Sequence, residues 1–476
     1  MYRGTLRSRQ TGVAASQREM AGNLSHWTTD FWETINNENA ELTAMPADDP
    51  RRLDRRDFVK AAVAIGGASA LTACLERERP KLQTTTDSTG AQFPRGIPSG
   101  APSGQHRWSE FLVRDAHGNT VPPQQLVVLG LSYDGSQPTA DERTQVEAAL
   151  ETLDRAFQWG TGGDAGAAFN RGLLFTLAYG PDYFETVGDV PESLVSQSEL
   201  VAAVDEDPAS ADTYDAVMLL ASDVGAVVLA AEAALFGRTE TVNGLAVEAT
   251  FDGVFSRAGR HTGFIGKGMP ADRLDDDRIP DDAPLSMGFK SGFRDNLPSE
   301  DRVTIPDGPF AGGTTVASST LTVDLDRWYD QSHDERVAEM FCPAHDPEAV
   351  GETGQKLGAD SGVTEAHAES VSEHAAEYGR VGHAQKTARA RDDDFEPTIL
   401  RRTEGVATDV AEGVGFQFNS IQAHVEDFIE TRRTMNPEEY DDDVAPENHG
   451  IAGFLETERR GIYLAPTRSD WALPEA

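Results

Sequence analysis

Twice along the chain, apolar runs with strand character alternate with capped helical segments in the order strand, helix, strand, strand, helix, strand. This repetition constrains the fold more than any other feature of the sequence. In the first pass, residues 125–132 form an apolar run and Thr139-Ala140-Asp141-Glu142 follows it. A Thr that accepts from the third helical N–H while Glu reaches back to it is a capping box. Behind it, Val146, Leu150, Leu153 and Phe157 recur at helical spacing. Strands are expected over 173–179 and 215–221. Ser222 then caps a helix whose Val224, Val227, Val228, Ala231 and Leu235 face a core. The fourth strand is expected over 244–251.

The second pass repeats the order. A strand is expected over 314–325, a helix over 332–341 opened by Ser332 and Glu335, strands over 398–403 and 413–418, a helix over 421–432 and a last strand over 461–465. Units of this kind pack helices on one face of a mostly antiparallel sheet. The pattern therefore predicts an α+β protein of two ferredoxin-like (βαββαβ) halves, residues 107–285 and 286–476.

Composition limits the partners. The chain has 476 residues, with 80 Asp and Glu against 41 Lys and Arg, a formal net charge of −39. That field repels polyanions, so nucleic-acid binding is excluded. Charge keeps such a surface hydrated, a composition that resembles halophilic proteomes.

Residues 1–44 read as an extension without a fold, and Met45 is an alternative start. Asp54-Arg55-Arg56-Asp57-Phe58-Val59-Lys60 and the apolar run 61–71 read as a twin-arginine export signal, too short to span a membrane. Leu71-Thr72-Ala73-Cys74 closes segment 45–74 as a lipobox, with Cys74 the lipid-bearing residue; an uncleaved amphipathic helix or a buried cysteine is the alternative. The expected location is the outer face of the cell membrane, with membrane contact through the lipid anchor only. Residues 75–106, rich in Pro, Gly, Ser and Thr, read as a tether. The only other cysteine, Cys342, is expected to pack as a small apolar residue.

Segment 346–396 interrupts the second unit, and a long insertion in a compact unit is often functional. Its Ala- and Glu-rich part is expected to be helical and to bring His383 to a cavity. His367 and His374, seven apart with Glu377 beyond, could share a helix face and hold a metal; a solvated acidic helix is the reading preferred. His383 stands alone among Lys386, Arg389, Arg391, Arg401 and Arg402. A neutral imidazole is the usual axial donor to haem iron, and guanidinium groups pair with carboxylates such as propionates.

His383-Ala-Gln-Lys-Thr-Ala-Arg-Ala-Arg followed by Ile399-Leu400-Arg401-Arg402 resembles the proximal signature of the dye-decolorising peroxidases. Gly288-Phe289-Lys290-Ser291-Gly292 with Pro298 is similar to that family's Gly-Phe-x-Asp-Gly-x-x-Asn-Pro. Ala311-Gly312-Gly313-Thr314 with Asp324 and Trp328 resembles its Ala-Gly-Gly-Ser strand and the turn after it. The resemblance covers most of the chain from about residue 126. It implies a fold of the dimeric α/β-barrel-like superfamily and haem b bound through His383 as metal ligand. One or two of Arg389 or Arg391, Arg401 and Arg402 would pair with the propionates, a solvated basic patch being the alternative. The implied activity is hydrogen-peroxide-dependent oxidation of a small organic reductant, and a homo-oligomer is left open.

Two departures weaken the implied activity. Ser291 stands where the family has its acid-base Asp, and Ala317-Ser318-Ser319-Thr320 has no arginine where the family carries one. Losing an acid-base group lowers rates by roughly 10²- to 10⁴-fold. Arg294 and Asp295 are expected either to replace both functions or to form a surface pair. A non-catalytic haem binder or carrier, and an apo structural or interaction lipoprotein, are the alternatives.

Overall fold

Eight strands close into one barrel, and each half of the chain supplies four of them. The computed structural model describes residues 90–475 apart from 97–99, 267–269, 271–277, 285–286, 408–409, 411–413 and 437–443. The expected extension, export signal and lipobox with Cys74 lie outside the described residues. Among the described residues no helix is long and apolar enough to cross a membrane.

The first half runs β1 (Gln125–Tyr133), α1 (Ala140–Ala156), β2 (Leu174–Tyr179), β3 (Ala216–Ser222), α2 (Gly225–Leu235) and β4 (Phe255–Phe264). The second half runs β5 (Thr314–Val323), α3 (His333–Met340), an insertion with α4 (Glu365–Glu369), α5 (Val371–Tyr378) and α6 (His383–Thr387), then β6 (Leu400–Ala407), β7 (Val414–Gln422), α7 (Val425–Arg433) and β8 (Leu455–Ala465). Strand order is β4-β1-β3-β2 in the first half and β8-β5-β7-β6 in the second, all antiparallel. Both are the ferredoxin-like order, so the α+β expectation of two βαββαβ halves describes the fold.

The halves join at both seams. Leu464 of β8 pairs with Tyr179 of β2, and Val406 and Ala407 of β6 pair with Phe264 and Gly263 of β4. Closure leaves no edge strand in the barrel whose N–H and C=O groups could recruit another chain. Strands β2 and β3 are buried along their whole length, which explains their unbroken apolar runs. The Thr139–Glu142 and Ser332–Glu335 capping boxes are present and start α1 and α3 where the sequence places them.

The fourth strand differs from expectation. Thr241–Val242 and Leu245–Ala246 form only a two-stranded hairpin, and β4 lies further on. Its sequence, Phe-Ser-Arg-Ala-Gly-Arg-His-Thr-Gly-Phe, lacks apolar alternation because most of its side chains are half-buried or exposed. Backbone pairing with β1 holds it, and Arg257 and Arg260 bind Glu232 of α2 at 2.8 and 3.0 Å. The last helix also starts later than expected, at Val425, because Ile421 and Gln422 complete β7.

Candidate functional site

A cavity of about 260 Å³ lies against the C-terminal half. Leu321 of β5, Phe416 and Phe418 of β7, and Leu455, Thr457 and Arg460 of β8 line it from the sheet. The insertion contributes His383, Ala384, Thr387, Ala388, Ala390 and Arg391, and the segment before β5 contributes Met287, Phe289, Lys290, Ser291 and Phe293. The lining is thus mainly apolar, with one imidazole and several cations. Among the described residues, no Asp or Glu lines it.

His383 opens α6, and Gly382 makes its position possible. A Cβ at Gly382 would stand 2.1 Å from the Phe341 carbonyl oxygen. Only glycine lets the helix start press against the end of α3, where the Gln385 N–H donates to Phe341 O at 3.0 Å. The His383 Nδ1 is buried and, among the described residues, has no hydrogen-bond partner. Burial first, then the positive charges of Arg401, Lys386 and Arg432, push the imidazole down to about 3. It is therefore neutral near pH 7, the form that can donate a lone pair. Lys386 is buried, donates to the Met435 and His449 carbonyls at 2.7 and 2.8 Å, and is pushed down to about 7 by burial and by Arg432.

Arg401 and Arg402 are neighbours on β6 at a register shift between Arg401 and Thr403, a bulge that gives the two side chains different surroundings. Arg401 lines the cavity. Arg402 does not: its guanidinium pairs with buried Glu300, donates to the His106 carbonyl at 2.6 Å and lies 5.5 Å over the Trp108 ring. This corrects the expectation that Arg402 faces the cofactor. Arg391 lines the cavity, stacked on Phe395 at 4.6 Å, whereas Arg389 is exposed and is not part of the lining.

Ser291 lines the cavity. Arg294 and Asp295 do not, and the expectation that they could serve there is corrected. They bind each other at 3.0 Å with about half of each side chain exposed (55% and 51%). Their backbone fixes this placement: Arg294 N–H donates to Asn119 Oδ1 at 2.6 Å, and Asp295 N–H to Ala359 O at 2.8 Å.

Two cavity residues escaped the sequence reading. Arg432 comes from α7 and Arg460 from β8. Arg460 Nη1 donates to Ser319 Oγ at 2.7 Å, and both arginines bind Glu206. Burial alone would raise the Glu206 carboxyl, but hydrogen bonds and charge from Arg460, with Arg432 and Thr457, hold it below the usual carboxylate range. Only the register between β5 and β8, which sets Arg460 opposite Ser319, could have revealed this group. His367 and His374 do not share one helix. They sit on α4 and α5 and converge on Cys342.

A model of DUF7405, described as a family of unknown function, matches residues 123–467. No curated protein matches the chain. Among solved structures, the chain is similar to a dye-decolorizing protein from V. cholerae, at 12% identity over 76% of this chain and 97% of that one, with a TM-score of 0.46. It is also similar to the encapsulated DyP-type peroxidase from Mycobacterium smegmatis, at 16% identity over 77% and 99% of the two chains, with a TM-score of 0.47. A third is a variant of DypB from Rhodococcus jostii RHA1 in complex with heme, at 14% identity over 77% and 97%, with a TM-score of 0.45.

Proposed function

The chain belongs to DUF7405, a family of unknown function, and we propose that this member is a haem-binding protein in which His383 would hold the iron. One observation carries the reading: a neutral imidazole lines an apolar cavity that also holds Arg391, Arg401 and Arg432. The donor set suits the group. The aromatic and aliphatic lining would cover a macrocycle, one imidazole nitrogen would ligate the iron, and the guanidinium groups would pair with propionates. Among the described residues Nδ1 of His383 meets no acceptor of the kind that orients a ligating ring and raises its basicity. Bound haem would supply iron-centred redox chemistry.

Peroxide-dependent oxidation of a small organic reductant is the finer form of the same proposal. Moving a proton between peroxide oxygens needs a titratable group at hand. The described lining offers the Ser291 hydroxyl, which does not titrate near neutral pH, and Arg460, which shares the Glu206 carboxylate with Arg432. Haem binding or carriage is therefore the better supported role, and turnover the weaker one. Export and anchoring through Cys74 belong to the proposal as the sequence reading stated them.

Reconstitution with haem tests the reading. A Soret band that appears in the wild type and is lost in His383→Ala is the expected result. No Soret shift on adding haem to folded protein would remove the haem reading and leave a structural or interaction role.

A further inference from the structure

Away from the cavity lining, three helical or turn segments bring together the side chains that soft metal ions prefer. One donor atom from each of Cys342, His345 and His367 lies within 4.8 Å of the other two. Cys342 and His345 follow α3, and His367 comes from α4, so they meet only because the insertion folds back on the end of α3. Cys342 is buried and the two rings are half-buried. The His345 and His367 ring centroids are 5.4 Å apart.

The surroundings orient Cys342 and His345, whereas His367 Nδ1 accepts the Thr364 N–H at 3.2 Å and has to leave that cap to ligate a metal. His345 Nε2 donates to the Ser361 carbonyl at 3.0 Å, which fixes the tautomer and leaves Nδ1 with its lone pair. Gly362, with φ of +75°, permits this approach, since a Cβ there would stand 2.9 Å from His345 Nε2. Phe341 stacks on the same ring at 5.9 Å and 14°. Metal-bound histidines usually donate their second N–H to such a carbonyl. The Cys342 thiol is 3.6 Å from His374 Nδ1, which in turn accepts from the buried Gln385 amide at 2.8 Å. Gln385 also donates to the His367 carbonyl at 2.7 Å, tying α4, α5 and α6 around the thiol.

We infer that Cys342, His345 and His367 form a binding site for one thiophilic transition-metal ion, copper or zinc. The site goes beyond the haem reading and does not depend on it. One thiolate and two imidazoles match the trigonal set that copper takes, and a fourth donor would complete a zinc tetrahedron. Metal–sulfur and metal–nitrogen bonds of about 2.3 and 2.0 Å bring donors to roughly 3.5 Å of one another. The half-buried rings therefore need to close by about 1 Å. Loading breaks the S–H bond, forms an S–metal bond and releases the proton to solvent.

Full-length protein stripped with a chelator is titrated with Cu²⁺ and, separately, with Co²⁺ as a spectroscopic stand-in for zinc. One equivalent is expected to produce a thiolate-to-metal charge-transfer band. A copper band that excess Zn²⁺ does not displace assigns copper, and a tetrahedral cobalt spectrum that Zn²⁺ displaces assigns zinc. Cys342→Ser removes the band. If that variant does not fold by circular dichroism, His367→Ala takes its place and lowers affinity by at least about 10- to 100-fold. The band persists in His383→Ala; its loss there would move the metal to the cavity and overturn the assignment. No charge-transfer band in either arm, or a band with unchanged affinity in His367→Ala, also overturns it.

Discussion

Arg460 Nη1 on β8 donates to Ser319 Oγ on the adjacent β5 at 2.7 Å, so the cavity receives from β8 the cation that β5 lacks. The guanidinium is almost wholly buried, 3% exposed, and Glu206 at 6% is its counter-ion as well as that of Arg432. Removing one member of a buried charged set leaves the others without compensation. Glu206→Ala is expected to destabilise the protein by about 3–5 kcal/mol, measured by chemical denaturation. Because the Glu206 carboxyl is held below its usual range, the stability it confers is present above the unfolded carboxylate's range and is lost as pH falls through the folded value. The wild type should therefore lose its margin over the variant in acid.

Two adjacent arginines on β6 have different surroundings, Arg401 in the cavity lining and Arg402 against Glu300. Arg401→Ala should affect haem binding more than it affects the free energy of unfolding. Arg402→Met should do the reverse, with a loss of about 3–5 kcal/mol because Glu300 stays buried without its partner. Haem titration and denaturation on both variants check the pair. Equal effects of the two substitutions on haem affinity would contradict the placement.

Glu339 gives a pH signature of the opposite sign. Burial pushes its carboxyl from 4.5 up to about 8, against the pull of Arg380 at 3.5 Å. A carboxyl raised on folding stabilises below its unfolded pKa, and that contribution is lost as pH rises through the folded value. Stability should fall by about 1–4 kcal/mol between pH 4.5 and 8 on this account, and Glu339→Gln should flatten the slope. Unfolding free energies across that window decide it.

Ser291 sets the limit on peroxide chemistry. Ser291→Asp puts a titratable group on the cavity wall, and in the haem-loaded protein peroxide-dependent oxidation of a dye should rise by about 10²-fold or more. Unchanged turnover in a variant that still binds haem would mean that proton transfer is not what limits the site.

The sequence by itself determined the two βαββαβ units. Apolar runs of strand length, the capping boxes at Thr139 and Ser332 and the position of His383 after Gly382 are local signals that tertiary context reinforces. It missed β4 because a strand carrying Arg257, Arg260 and His261 is held by backbone pairing and by Glu232, neither of which leaves an apolar period. Only the tertiary structure decided which of Arg401 and Arg402 faces the cavity. The pleat is broken by the register shift between Arg401 and Thr403, so the surroundings each takes depend on where Glu300 and Trp108 are packed. Likewise Cys342 read alone as a small packed residue, and His367 and His374 as positions on one helix. Their convergence with His345 depends on the end of α4 at Ser370 and on Gln385 drawing the insertion back onto α3, contacts between residues far apart in the chain.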